Sequence, residues 1–162
     1  MSTNNLQYPN RLHIDDKFGS WFSGFFDGEG SFIVNKCPNG LGSPRIRIGQ
    51  RSDDQQVLDF IKNKLCIGNV TGPYPTQKGK PVSFYQVTNN KHLAEIIIPL
   101  FEAYPLHSKK SQEYLIWKEE VLRKHSYFIN GIPRKATKEE VELTQKSKLM
   151  IEKLRKYNYF QV

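Results

Sequence analysis

The spacing of apolar residues separates helical from extended stretches along the chain. Phe18, Trp21 and Phe25 recur every three or four positions, which predicts an opening amphipathic helix. Residues 15–16, both Asp, precede it and are good N-cap candidates, because their carboxylates can accept the unpaired N–H groups of a first helical turn. We expect the helix to end in the stretch 27–30, which contains two glycines.

Two stretches of alternating polarity follow, at residues 31–37 and 45–51, and they predict the strands of an antiparallel hairpin. The large apolar residues Phe32 and Ile46 take even-numbered positions in these stretches. Because the side chains of a strand point alternately to its two faces, these residues should meet the core. The odd-numbered positions would then form a polar and basic outer face.

The remaining pattern repeats this order once and then adds helices. A capping box at 52–55 predicts a second helix, and strands at 68–73 and 82–88 flank a basic turn. The positions expected to begin the later helices are Asn89 or Asn90, Ser108, and Thr137 with its capping-box partner Glu140. The last of these helices would run through Leu143, Leu149, Ile151 and Leu154. The predicted fold is therefore α+β, with the order αββαββα and additional C-terminal helices.

The composition is consistent with one domain over residues 1–162, with its core at about 15–125 and a helical extension at about 126–162. Hydrophobic residues make up 38% of the chain and include ten Phe and eight Tyr, enough to bury a core. The two cysteines lack metal-ligand spacing, which argues against a zinc finger or a disulfide framework. The first residues have no hydrophobic signal core, so we expect an intracellular protein.

The charge favours a polyanionic partner. The net charge is +8 and the pI about 9.5. An anionic membrane surface would fit this charge equally, but the sequence has neither a span-length apolar run nor a sharply amphipathic basic segment. Acidic residues are absent from 30–52 and from 60–94, both of which contain predicted strands. Chance could produce such stretches, yet their coincidence with strands favours a basic face for nucleic acid.

One motif carries the chemistry. Residues 22–30, Phe-Ser-Gly-Phe-Phe-Asp-Gly-Glu-Gly, resemble the LAGLIDADG motif at both glycines, both acids and the apolar positions. The resemblance is to the single-motif, homodimeric LAGLIDADG homing endonucleases. It covers most of the chain, because αββαββα is the order of one such domain. It implies a curved four-stranded sheet that lies over the major groove of double-stranded DNA.

Metal-dependent phosphodiester cleavage needs a hard cation with oxygen ligands. The resemblance implies that Glu29 binds the cation, with the Gly28 carbonyl as a second ligand, and that Mg²⁺ is the metal, with Mn²⁺ or Ca²⁺ able to replace it in binding. The counterpart of Asp27 in the family is mainly structural and ties down the helix end. Without the resemblance, the same residues would be read as an ordinary acidic turn.

Two further matches supply the other candidate catalytic residues. Gln50 ends the second strand, where the family often places a polar residue that positions water near the metal. Residues 106–110, Leu-His-Ser-Lys-Lys, match the family's Leu-x-x-Lys-Lys stretch, and the first lysine, Lys109, would reach the active site. A cation there could stabilise the phosphorane or polarise the attacking water. Lys110 is the alternative, and solvation of a helix terminus is the simpler explanation for either lysine.

A single motif implies a second subunit. One acid per chain cannot serve both strands of a duplex, so the resemblance implies a homodimer, a palindromic or pseudo-palindromic site, and cleavage across the minor groove that leaves 3′ overhangs. Small residues on the first helix would let the two motif helices approach, although they could equally serve packing within one chain. The residues assigned to the dimer interface are Trp21, Ser23, Gly24 and Asp27.

The two hairpins supply the residues assigned to DNA, because Arg can pair with guanine, Asn with adenine, and lysines with phosphate. These residues are Ile33, Asn35, Cys37, Asn39, Arg45, Arg47, Arg51, Tyr74, Gln77, Lys78, Lys80, Gln86 and Thr88, with Arg134 and Lys135 from a later loop. The alternative is a non-cleaving nucleic-acid binder on the same scaffold, such as an intron RNA maturase, for which RNA would be the partner. The family often resides in organelle genomes, so the resemblance is compatible with synthesis inside a mitochondrion or chloroplast.

Overall fold

A computed structural model describes residues 14–36, 42–129 and 136–157 of the chain. The order of elements is the predicted one, with five segments after the second hairpin. The elements are α1 (Asp16–Glu29), β1 (Gly30–Lys36), β2 (Gly42–Arg51), a 3-10 turn (Ser52–Asp54), α2 (Gln55–Leu65), β3 (Asn69–Tyr74), β4 (Val82–Val87), α3 (Asn90–His92), a π-helical segment (Leu93–Ile97), α4 (Ile98–Ala103), α5 (Lys110–Ile129) and α6 (Lys138–Tyr157). The α+β class predicted from the sequence is confirmed.

The four strands form one antiparallel sheet in the order β1-β2-β4-β3. Each hairpin contributes an adjacent pair, and β2 pairs with β4 at the centre of the sheet. Arg47 lies opposite Ser31 on one side and Gln86 on the other, and Gln86 in turn lies opposite Asn69. Because paired residues share a face, these four polar side chains form one row across the sheet. We call this set the polar row.

The other face of the sheet packs on the helices. Its even-numbered apolar residues in β1 and β2, such as Phe32 and Ile46, are fully buried, as their alternation predicted. Aromatic side chains dominate this core: Phe26 lies 4.8 Å from Phe32 and 5.0 Å from Phe101 between ring centroids. Trp117 is also fully buried, and its indole N–H donates to the Arg45 carbonyl at 3.1 Å. Burying one such side chain contributes about 1.5–3 kcal/mol, so this cluster fixes α1 and α5 against the sheet.

Four of the predicted helix caps are present, one of them at Ser108, whose hydroxyl accepts the Lys110 N–H at 3.2 Å. The Asp15 carboxylate accepts from the Phe18 N–H at 2.8 Å, and the Asn89 side chain accepts from the next turn. Thr137 and Glu140 form the reciprocal capping box, with distances of 2.7 Å from the Thr137 N–H to the glutamate and 3.2 Å from the Glu140 N–H to the hydroxyl. These local interactions depend on residues close in sequence, which is why the sequence could predict them.

The capping box predicted at 52–55 is wrong. Ser52 begins a 3-10 turn instead, and its hydroxyl pairs with that of Ser83 in β4 at 2.9 Å. The Ser83 hydroxyl also donates to Gln55 at 2.8 Å. Ser83 is fully buried, so these bonds satisfy a polar group inside the protein and tie the start of α2 to the sheet.

The last helix packs through polar residues. The α6 helix lies against α5 and against β1, an edge strand of the sheet. The buried carboxylate of Glu120 in α5 accepts from Thr144 at 3.1 Å and from Ser147 at 2.8 Å, and pairs with Arg123 at 2.7 Å. The apolar residues that predicted this helix do not all face the core: Ile151 is buried, whereas Leu149 is 53% exposed. Across the described residues, no helix is long and apolar enough to span a membrane.

Candidate functional site

The end of α1 opens onto a groove of about 480 Å³, formed where α1 passes into β1 and where α5 and α6 approach them. Glu29 is exposed in this groove. The lining residues are Asp27, Gly28, Glu29, Gly30, Ser31, Ser108, Lys109, Lys110, Glu113, Leu154 and Arg155. The groove thus brings together the predicted metal-binding pair, Gly28 and Glu29, and the predicted catalytic lysine, Lys109.

Asp27 belongs to the framework of the groove. Its carboxylate accepts the His107 N–H at 2.7 Å and the Ser108 hydroxyl at 2.6 Å, in addition to the Ser108 N–H. These bonds fasten the loop before α5 to the end of α1. The geometry agrees with the structural role that the resemblance implied for this acid.

The adjacent lysines differ in their environment. Lys110 is half-buried, and its ammonium donates to the carbonyls of Phe26 at 3.0 Å and Asp27 at 2.9 Å. The Asp27 carbonyl is one of those that a helix end leaves without helical partners, whereas the Phe26 carbonyl also accepts the Gly30 N–H. Burial lowers the pKa of Lys110, an effect opposed by the negative charges of Glu113 and Asp27. Lys109 is exposed in the same groove as Glu29.

Gln50 lies at the matching end of the sheet. It stands two residues beyond Ile48, which pairs with Gly30 at the start of β1, and it is half-buried. This position puts Gln50 beside the junction of α1 and β1, although it does not line the groove itself.

The donors near Glu29 suit a hard cation only in part. An exposed carboxylate and a backbone carbonyl supply the oxygen ligands that Mg²⁺ prefers. Within residues 14–36, 42–129 and 136–157, however, no three His, Cys, Asp or Glu side chains converge as a metal-binding cluster. A cation held here would take its other ligands from outside these side chains, such as phosphate or water.

The exposed side of α1 carries the small residues. A Cβ added at Gly24 or Gly28 would meet nothing within 4 Å, and neither residue has a left-handed backbone conformation. Gly28 lies within α1, and the absence of a side chain at Gly24 and Gly28 leaves this part of the helix surface open. Trp21 is 38% exposed and stacks on Phe25, with 5.1 Å between ring centroids.

Two of the residues assigned to the dimer interface make hydrogen bonds within their own chain. Ser23 is buried, and its hydroxyl donates to the Tyr104 carbonyl of its own chain. Asp27 is engaged with the loop before α5. The hydrogen bonds of these two side chains are made within one chain, which gives both a structural role; their assignment to an interface stays a prediction. Trp21 and Gly24 keep the exposure that an interface requires.

The outer face of the sheet contains the predicted strand residues. Ile33, Asn35, Arg45, Arg47 and Gln86 all lie on the face opposite the core, half-buried by their neighbours. The residues predicted from the second turn and its flanks are exposed, namely Tyr74, Gln77, Lys78, Lys80 and Thr88. Cys37, Asn39, Arg134 and Lys135 lie outside the described residues.

The structure shows which residues hold three of the basic side chains assigned to DNA, and the sequence did not indicate these partners. The Arg47 guanidinium lies over the Phe84 ring, with 4.6 Å from Cζ to the centroid. Arg51 and Lys80 both pair with the Asp53 carboxylate, at 2.6 Å and 3.3 Å. The hydrogen bond from Arg51 lowers the pKa of Asp53, with a further contribution from Lys80. No local pattern indicates the pair of Asp53 with Lys80, because these two residues are distant along the chain.

Arg155 also lines the groove, although the sequence does not indicate it. It reaches the groove from α6, where its guanidinium pairs with the buried Glu113 at 2.9 Å and donates to the Phe32 carbonyl. No local pattern could have indicated this, because α6 meets the groove only through the tertiary fold.

Comparison with known proteins relates this architecture to a family. The sequence profile described as LAGLIDADG endonuclease matches residues 22–121. The chain is 30% identical over 134 residues to the probable intron-encoded endonuclease Cox1-I1b of Schizosaccharomyces pombe, a match that covers 80% of this chain. It is 31% identical over 100 residues to the probable intron-encoded endonuclease 4 of Neurospora crassa, covering 62% of this chain. The chain spans only 34% and 17% of the lengths of these relatives.

Solved structures share the fold. The homing endonuclease I-SmaMI bound to cleaved DNA superposes with a TM-score of 0.66 at 23% identity, covering 85% of this chain and 44% of that one. The homing endonuclease I-TnaI also gives a TM-score of 0.66, at 21% identity, and here the match covers 85% of this chain and 93% of that one.

Proposed function

Since the chain belongs to the LAGLIDADG endonuclease family, we propose that it is a site-specific endonuclease that hydrolyses double-stranded DNA with a divalent metal ion. The observation that carries the proposal is the groove at the end of α1, where the exposed Glu29 carboxylate and Lys109 line one surface. Metal-assisted phosphodiester hydrolysis uses a carboxylate to bind the metal ion and a positively charged side chain to stabilise the phosphate, and both groups lie in this groove.

Each residue of the groove has a part in this proposal. The Glu29 carboxylate, with the Gly28 carbonyl, would hold Mg²⁺, which supplies Lewis acidity and lowers the pKa of a bound water. Lys109 would stabilise the charge that develops on the phosphate oxygens. Gln50 would orient the attacking water from the end of β2. Asp27 would keep the loop before α5, and with it Lys109, at a fixed place beside Glu29.

The outer face of the sheet would bind the DNA. The polar row offers Arg47 and Gln86 side by side, and Arg and Gln can pair bidentately with guanine and adenine in the major groove. Lys78 and Lys80, exposed in the turn between β3 and β4, would contact phosphates and so add affinity without sequence preference.

We propose that two such units act together, as a homodimer on a palindromic or pseudo-palindromic site. The exposed Gly24 and Gly28 would let the α1 helices of the two units approach closely, which would bring two copies of Glu29 near the symmetry axis. Two acids so placed would cut both strands across the minor groove and leave 3′ overhangs. The names of the relatives further suggest that the protein is encoded in an intron, in an organelle.

The test is cleavage of a pooled library of palindromic duplexes in Mg²⁺ and in EDTA. We expect cuts at one class of sites in Mg²⁺ only. Glu29→Gln should abolish cutting but retain binding of the selected duplex, whereas Glu119→Gln, at an exposed position on α5, should cut normally. DNA retention without cutting by the unmodified protein, or preference for RNA over the duplex, would contradict the proposed activity.

A further inference from the structure

An aromatic ring lies on the outer face of the sheet, beside the polar row. Phe84 in β4 has the parity of Gln86, so it lies on the outer face, where it is half-buried. The apolar residues of this strand that form the core, Tyr85 and Val87, point the other way. The hydrophobic core therefore does not account for Phe84.

The neighbouring strand is shaped to receive this ring. Gly49 lies directly opposite Phe84 in the pairing of β2 and β4. A Cβ added at Gly49 would lie 2.8 Å from Cε1 and 3.1 Å from Cδ1 of the ring. The φ of Gly49 lies outside the left-handed region, so the backbone does not require glycine there. The missing side chain leaves room for the ring to lie across β2.

The ring meets Arg47. Residues two apart on a strand share a face and lie about 6.4–6.8 Å apart, so a ring over Gly49 comes within reach of the side chain at position 47. The guanidinium carbon of Arg47 is 4.6 Å from the Phe84 centroid, within the range of a cation–π contact. Tyr74 borders the other side, with 6.1 Å between its ring centroid and that of Phe84.

We infer that Phe84 and Gly49 are positioning residues for sequence recognition: they hold the Arg47 guanidinium before DNA arrives, so that it reads one base pair in each half-site. A guanidinium that packs on a ring through its face would keep its N–H donors at the edge, where they can pair with guanine O6 and N7. Fixing the side chain in advance reduces the entropy lost on binding. This inference rests on the proposed function, because it assumes that the sheet binds DNA.

Phe84→Leu removes the ring and keeps an apolar side chain. We expect it to reduce discrimination at the base pair read by Arg47 about two- to fivefold, the range of an exposed cation–π contact. Discrimination at the other positions should not change. Phe84→Tyr keeps the ring face and should retain the full preference, and Gly49→Ala, which displaces the ring, should behave like Phe84→Leu. Thermal melts of each variant show whether it is folded.

A double-mutant cycle separates this mechanism from direct stacking of Phe84 on DNA. The probe is the duplex selected from the library, with every single base-pair substitution, bound in Ca²⁺ so that cleavage does not intervene. In an Arg47→Ala background, Phe84→Leu should cause no further loss at that base pair. An equal loss in both backgrounds, or an unchanged profile in folded Phe84→Leu, would overturn the inference while leaving the proposed function intact. Failure of the unmodified protein to bind any duplex would instead overturn the proposed function.

Discussion

The two adjacent lysines at the start of α5 should respond oppositely to the same substitution. Lys110→Met removes the ammonium that bonds the carbonyls of Phe26 and Asp27 and keeps most of the aliphatic stem. Lys109→Met removes a charge from an exposed position of the groove. We expect the first change to destabilise the fold and the second to reduce cleavage in a protein of nearly unchanged stability.

The magnitude follows from the two hydrogen bonds of Lys110. Hydrogen bonds from a charged donor contribute about 1.5–3 kcal/mol each. Lys110→Met would remove both bonds to the carbonyls at the end of α1. Desolvation of the half-buried ammonium, the same effect that lowers the pKa of Lys110, offsets part of this gain. A net loss of about 2–3 kcal/mol remains for Lys110→Met. In a domain of this size, it corresponds to a decrease in Tm of about 4–12 °C.

Calorimetry and cleavage of the selected duplex measure the two effects independently. Lys109→Met should melt within about 2 °C of the unmodified protein, because exposed substitutions usually change stability by less than about 0.5 kcal/mol. It should cleave more slowly at a temperature where both variants are folded. If Lys110→Met melts normally and loses cleavage, the roles of the two lysines are reversed and the assignment of Lys109 is wrong.

Two further substitutions test the surfaces of α1 and of the sheet. Gly24→Leu should leave the protomer as stable or more stable, since glycine is disfavoured in helices by about 1 kcal/mol. The same substitution should prevent the protein from dimerising on DNA, which native mass spectrometry would detect. Gly19→Leu is the matched control on the same helix, and it should unfold the protomer because the new Cβ would lie 2.1 Å from the Tyr104 ring. If Gly24→Leu still forms dimers on DNA, the interface does not lie at Gly24. Asp53→Asn should release Arg51 and Lys80 to bind phosphate, so DNA binding should tighten and the slope of log K against log salt concentration should steepen by about one. The control Asp54→Asn should have a smaller effect. Equal effects of the two substitutions would contradict the pairing of Asp53 with these cations.

The sequence predicted what depends on local periodicity. The parity of Phe32 and Ile46 gave the correct inner face of both strands, and the sheet then places Arg47 on the outer face without further information. The motif likewise located Glu29, since its residues are contiguous. Local rules succeed here because the alternation of a strand carries every side chain of one parity to the same face.

The sequence could not resolve contacts that depend on the packing of distant elements. Lys109 lies in the turn before α5 and Lys110 is the first residue of the helix, and only the position of α5 beside the end of α1 decides which of the two lysines meets that helix end. The partners of Glu120 could not be predicted for a similar reason. Apolar periodicity suggested a stripe through Leu149, whereas α6 uses Ser147 to satisfy that buried carboxylate.

The features of α1 that do not serve folding are concentrated on one side and at one end of the helix. Gly24 and Gly28 lower helix stability, yet neither makes room for its own chain nor adopts a left-handed conformation. Glu29 places a negative charge at the negative end of the helix dipole, where a cationic side chain would be more favourable. A helix optimised for stability alone would avoid all three residues. Gly28 and Glu29 line the groove with Lys109, and natural sequences depart from local rules mainly at functional sites, so these departures support the proposed site at this end of the helix.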